Sequence, residues 1–144
     1  MPSEFGNRCE AMEECYEFML AYAAQGLRTD EGSKSGGQVR EFLQRAVTAL
    51  TGLAEVCTVA VREEGLERAE KYAAFLAVLD RDSRDSLAAI ELVLAQAVIS
   101  SQLIDNLNAS IHLRALLTDL FLLDEILRKH VKPEEQLVTD GRLK

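Results

Sequence analysis

Gln102, Asp105, Asn106, Asn108, His112, Arg114 and Asp119 interrupt an otherwise apolar run toward the C-terminus and supply the chain's main candidates for chemistry. At helical spacing, Asp105, Asn108 and His112 share one face. A pocket closed around Asp105 and His112, with Asn108 and Arg114 beside them, would suit a small ligand or an enzymatic role. The same residues can instead form a hydrogen-bonded network that fixes helix register or sits at a wet helix break. Burying such groups unpaired costs roughly a few kcal/mol each.

His112-Leu113-Arg114-Ala115 resembles the histidine phosphotransfer domains, which place a lysine two residues after their histidine and a small residue, usually glycine, after the lysine. The resemblance implies His112 as phosphate acceptor and Arg114 as the neighbouring cation. It covers a handful of residues, and arginine in place of lysine changes both charge geometry and reach. The residues themselves give a plainer expectation, in which Asn108 satisfies His112 from one helical turn earlier.

Metal chemistry has a weaker basis. Carboxylate bundles of the di-iron type use paired Glu-x-x-His motifs, and neither histidine here completes one, since Ala109 and Leu127 stand three residues before His112 and His130. Glu10, Glu13, Glu14 and Glu17 form an acidic face that could hold a hard cation or meet a basic partner; a solvated surface is the simpler expectation. Cys9, Cys15 and Cys57 have no CxxC spacing and are expected as reduced core residues. No Walker pattern surrounds Gly36-Gly37, so a phosphate cradle is not expected. No metal or cofactor is assigned.

Charge and hydropathy narrow the partners. The net charge is −8, which argues against a nucleic-acid binder working through a broad basic surface. The longest uncharged stretch, Leu92 to Ile104, is too short to span a bilayer and contains Gln96, Ser100, Ser101 and Gln102. The start lacks a basic region followed by an apolar one, so neither a secretory signal nor a membrane location is expected and a cytoplasmic home is the default. Residues 1–31 carry seven acidic and two basic side chains, whereas 125–144 carry four acidic and five basic. That asymmetry could steer a protein partner with a basic surface.

Helices must position all of these groups. The two prolines, Pro2 and Pro133, lie near the ends, leaving no proline between them to stop a helix or shape a turn. Met12, Cys15, Tyr16, Met19 and Ala23 mark a first helix over about 7–24, ended by Gly26. A Gly- and Ser-rich segment, about 27–37, is expected as a flexible exposed linker. A second helix is expected from Gln38 to Glu63 or Glu64, a third over 66–79, and a boundary at the charged run 80–85. From Ser86 a stripe through Ile90, Val93, Ala97, Ile104, Leu107 and Ile111 continues to Ile126, with a break expected near 105–110. Residues 131–144 are expected to fray.

The expectation is one all-α domain, a four- or five-helix bundle of antiparallel helices. Its first-ranked role is non-enzymatic protein interaction or assembly, as a homodimer built on the last helical region. Ile99, Leu103, Leu117 and Phe121 are the candidate interface residues, because apolar side chains there surround more of the helix than one neighbour covers.

Overall fold

The computed structural model describes residues 3–66 and 70–129. The expected fraying of 131–144 and residues 67–69 of the expected third helix lie outside the described residues. Among those described, the chain forms six α-helices and no strand: α1 (Glu4–Ala24), α2 (Lys34–Leu50), α3 (Leu53–Glu63), α4 (Glu70–Leu94), α5 (Ser101–Ala109) and α6 (Ile111–Arg128). α1 and α4 each pack against α2, α3, α5 and α6. No helix among them is long and apolar enough to cross a membrane.

α1 follows its sequence pattern closely. The Ser3 hydroxyl accepts the Gly6 N–H at 2.9 Å, capping the first turn. Phe5, Cys9, Met12, Cys15, Met19 and Tyr22 then recur every three or four residues and are all buried. That single face meets the rest of the core, including Leu43, Cys57, Ile104 and Leu120. Full burial of each large apolar side chain contributes roughly 1.5–3 kcal/mol.

The expected second helix is two helices. Thr51 is extended and Gly52 has φ +71°, a left-handed conformation that glycine adopts without steric penalty. Arg8 covers the opened end of α2, its guanidinium donating to the carbonyls of Ala49 and Thr51 at 3.0 and 2.7 Å. The linker is also shorter than expected, because α2 begins at Lys34 with the Ser33 hydroxyl accepting the Gly36 N–H. Gly36 is buried against Asp30, where a Cβ would come within 2.1 Å of the Asp30 carbonyl oxygen. Only glycine fits that contact.

The charged run 80–85 does not end a helix; α4 passes straight through it. Asp80 and Arg84 pair one turn apart at 3.1 Å on its outer face. Ser83 and Ser86 are buried, and the Ser83 hydroxyl donates to the Leu50 carbonyl at 3.4 Å. The cap-forming residues are therefore spent on packing and lateral bonds rather than on a new N-terminus. Conversely, the expected central helix through 92–104 is interrupted by a non-helical segment, 95–100, before α5. Ser110 then separates α5 from α6, so residues 86–129 contain parts of three helices.

Candidate functional site

The helices disperse the polar residues near the C-terminus. Asp105 is exposed, on an open cleft shared with Arg28, Gln102 and Ser100. Asn108 is buried and turns toward α1, donating from Nδ2 to the Met19 carbonyl at 3.1 Å. His112 is exposed and faces α4, with Nδ1 3.8 Å from an Asp85 oxygen. Arg114 is exposed and has no carboxylate partner among the described residues. Asn108, the expected partner of His112, is thus bound elsewhere. The four residues do not line one enclosed pocket.

The acidic face of α1 is equally dispersed. Glu10, Glu13, Glu14 and Glu17 are exposed, and Glu14 pairs with Arg45 at 2.8 Å. Arg45 in turn lies over the Phe42 ring, 4.7 Å from its centroid. Among the described residues no group of three histidine, cysteine, aspartate or glutamate side chains could hold a metal ion. Cys9, Cys15 and Cys57 are buried free thiols, and burial pushes each up to about 12, far from the thiolate that a nucleophile requires.

Two polar arrangements went unrecognised in the sequence. The first joins the 27–33 loop, α2 and the segment before α5. Arg40 donates to the carbonyls of Leu94, Gln96 and Ala97 at 3.1, 2.8 and 3.1 Å, and pairs with Asp30 at 2.9 Å. Asp30 accepts the Ile99 N–H at 2.9 Å, while the Tyr22 hydroxyl donates to the Ile99 carbonyl at 2.6 Å. Burial pushes the Asp30 carboxyl up, but the Ile99 N–H and Arg40 outweigh it and hold it below its usual value. Burial, with Asp30 nearby, raises the Tyr22 phenol. This arrangement holds the α4–α5 connection in place.

The second is a carboxyl pair between α4 and α6. Asp119 is 7% exposed on the leucine-rich inner face of α6, beside Asp82 of α4. Burial and the neighbouring Asp82 carboxyl raise the Asp119 carboxyl to about 7. Its Oδ2 and the buried Ser86 hydroxyl have no hydrogen-bond partner among the described residues. A second carboxyl so placed disfavours ionisation of Asp119.

The expected interface residues separate into two groups. Ile99 and Leu117 are buried in the chain's own core, Leu103 is partly buried against it, and Phe121 is 49% exposed. Ile99 does not lie on a continuous helix: its backbone is in the 95–100 connection and is bonded on both sides by Asp30 and Tyr22. α6 nevertheless has a second apolar face. Leu113, Leu116, Leu117, Leu120 and Leu123 turn inward, whereas Ile111, Leu122 and Ile126 are 75%, 51% and 38% exposed. Ala115 and Thr118 fill the intervening turns. Comparison with protein-family models, curated proteins and solved structures finds no match.

Proposed function

We propose that the chain is a non-enzymatic helical assembly module that pairs with a second copy of itself through the outer face of α6. The observation that carries this reading is the row Ile111, Ala115, Thr118, Leu122 and Ile126, with Phe121 at its margin. These side chains leave an apolar strip along a helix whose opposite face already packs in the core. A contiguous strip of this kind is a recurrent feature of association surfaces. The separate directions taken by Asp105, Asn108 and His112 favour association over a small-ligand site built from them. The exposed Glu10, Glu13 and Glu17 are compatible with a basic protein partner, a second occupant that the experiment below separates from self-pairing.

The six helices also support a bundle of four antiparallel columns, with α2–α3 and α5–α6 each forming one broken column. Each broken column packs against both α1 and α4. Pairing through α6 would leave this core intact, since its apolar strip lies outside it.

Sedimentation equilibrium at low micromolar concentration is expected to give a mass twice the 16.0 kDa of one chain. Leu122→Asp is expected to weaken the dimer at least about 100-fold while retaining helicity, because it places a charge on an exposed apolar strip rather than in the core. A wild-type mass of 16.0 kDa throughout the concentration range would refute self-pairing.

A further inference from the structure

Resting on that reading, we infer that the two copies of α6 run antiparallel across a two-fold axis near residues 118–120, with Arg114 of each copy meeting Glu125 of the other. At about 100° per residue, Ile111, Thr118 and Leu122 lie within roughly 20° of one direction, and Ala115 and Ile126 extend that strip to one side. Arg114 and Glu125 lie roughly 60° and 40° to the other side, forming one flank with opposite charges toward its two ends.

An isologous contact places equivalent flanks against each other: if residue i meets j, then j meets i. In an antiparallel pair, the Arg114 end of one flank therefore reaches the Glu125 end of its partner. The midpoint of 114 and 125 is about 119.5, while the apolar pairs Ile111–Ile126 and Ala115–Leu122 both have midpoints at about 118.5; the difference is roughly 1.5 Å of helix rise. One axis thus satisfies charge and hydropathy together. A parallel pair would set the two equivalent flanks on opposite sides of the seam, so Arg114 and Glu125 would not meet.

The monomer leaves these charges accessible. Among the described residues, Arg114 has no carboxylate partner and Glu125 meets only Lys129 on its own helix, at 3.7 Å with both side chains well exposed. Such a solvent-exposed pair holds Glu125 weakly. Complementary charges at the rim would select orientation and register, while Ile111, Leu122 and Ile126 provide the apolar contact.

The decisive measurement is a charge-reversal cycle read by sedimentation equilibrium at low ionic strength, with circular dichroism confirming equal helicity. Arg114→Glu and Glu125→Arg should each weaken the dimer about tenfold, and the double reversal should return its affinity to within about threefold of wild type. Oxidative cross-linking supplies an independent orientation test. Ile111→Cys mixed with Ile126→Cys should yield a covalent dimer, whereas Ile111→Cys alone should not, because its two copies lie about 22 Å apart along the helices. Self-cross-linking of Ile111→Cys, or a double reversal no tighter than the singles, would overturn the antiparallel arrangement. If all reversals match wild type while Leu122→Asp is monomeric, α6 pairs in another register and the proposed function survives alone. A wild-type monomer at every concentration removes both.

Discussion

Arg40→Ala is expected to destabilise the protein by about 2–3 kcal/mol, lowering the melting midpoint by roughly 4–12 °C. Arg40 is the junction between α2 and the far end of α4, donating to three carbonyls and pairing with a carboxylate. Truncation leaves the Leu94, Gln96 and Ala97 carbonyls without that donor and leaves the Asp30 carboxylate, whose side chain is only 10% exposed, without its countercharge. Arg40→Lys should recover less than half of the loss, since an ammonium cannot reproduce the spread of a guanidinium fork. Urea denaturation of the three proteins provides the measurement. Unchanged stability in Arg40→Ala would show that water replaces the arginine without cost.

Asp119→Asn is expected to stabilise the protein at pH 8 by roughly 1–2 kcal/mol and to reduce the dependence of stability on pH between 4 and 7. The sign follows from the raised carboxyl. Below its ordinary value of 3.8, folded and unfolded chains both carry the proton; between 3.8 and about 7 only the folded chain retains it. The wild type therefore loses this contribution as pH rises through that window, with the full cost present above about 7. A shift of this size corresponds to at most about 4 kcal/mol, and water reaching the partly exposed Asp82 reduces the expected effect. The difference in unfolding free energy between variant and wild type should grow from pH 4 to pH 7. A constant difference would contradict a raised Asp119 carboxyl.

These two sites show what the amino-acid order discloses and what it conceals. The α1 stripe is legible because Phe5, Met12, Met19 and Tyr22 lie on one face and solve one packing problem. The division between α5 and α6 is similarly signalled by Ser110, whose hydroxyl accepts the Leu113 N–H at 3.3 Å. The end of α4 has no comparable local signal. Residues 92–104 continue an apolar pattern, and the arginine that covers the liberated carbonyls comes from a separate helix.

Asp80, Asp82, Ser83 and Asp85 present the reverse ambiguity. They are competent to start a helix, yet their side chains serve the outer face and lateral contacts of an uninterrupted α4. The break at Gly52 was within reach of the sequence, since a glycine preceded by threonine lies in the middle of a long helical pattern. Asp119 carried a signal too: it is the acidic member of an otherwise leucine-rich inner face formed by Leu116, Leu120 and Leu123. Its neighbouring carboxyl could not be chosen from spacing alone, because Asp82 lies on another helix and resembles an ordinary cap residue.

Ser110 constrains the kinds of insertion that this architecture accommodates. It is both the C-terminal flank of α5 and the N-cap of α6, so one residue constitutes the whole connection. Adding a single helical residue after it, with the existing cap retained, would rotate the following side chains by about 100° and advance them by about 1.5 Å. The inward leucines and the outward strip would then exchange much of their orientation together. The 95–100 connection has more non-helical residues, but Arg40, Asp30 and Tyr22 bond its backbone at Gln96, Ala97 and Ile99, so an insertion there would have to give up those bonds as well.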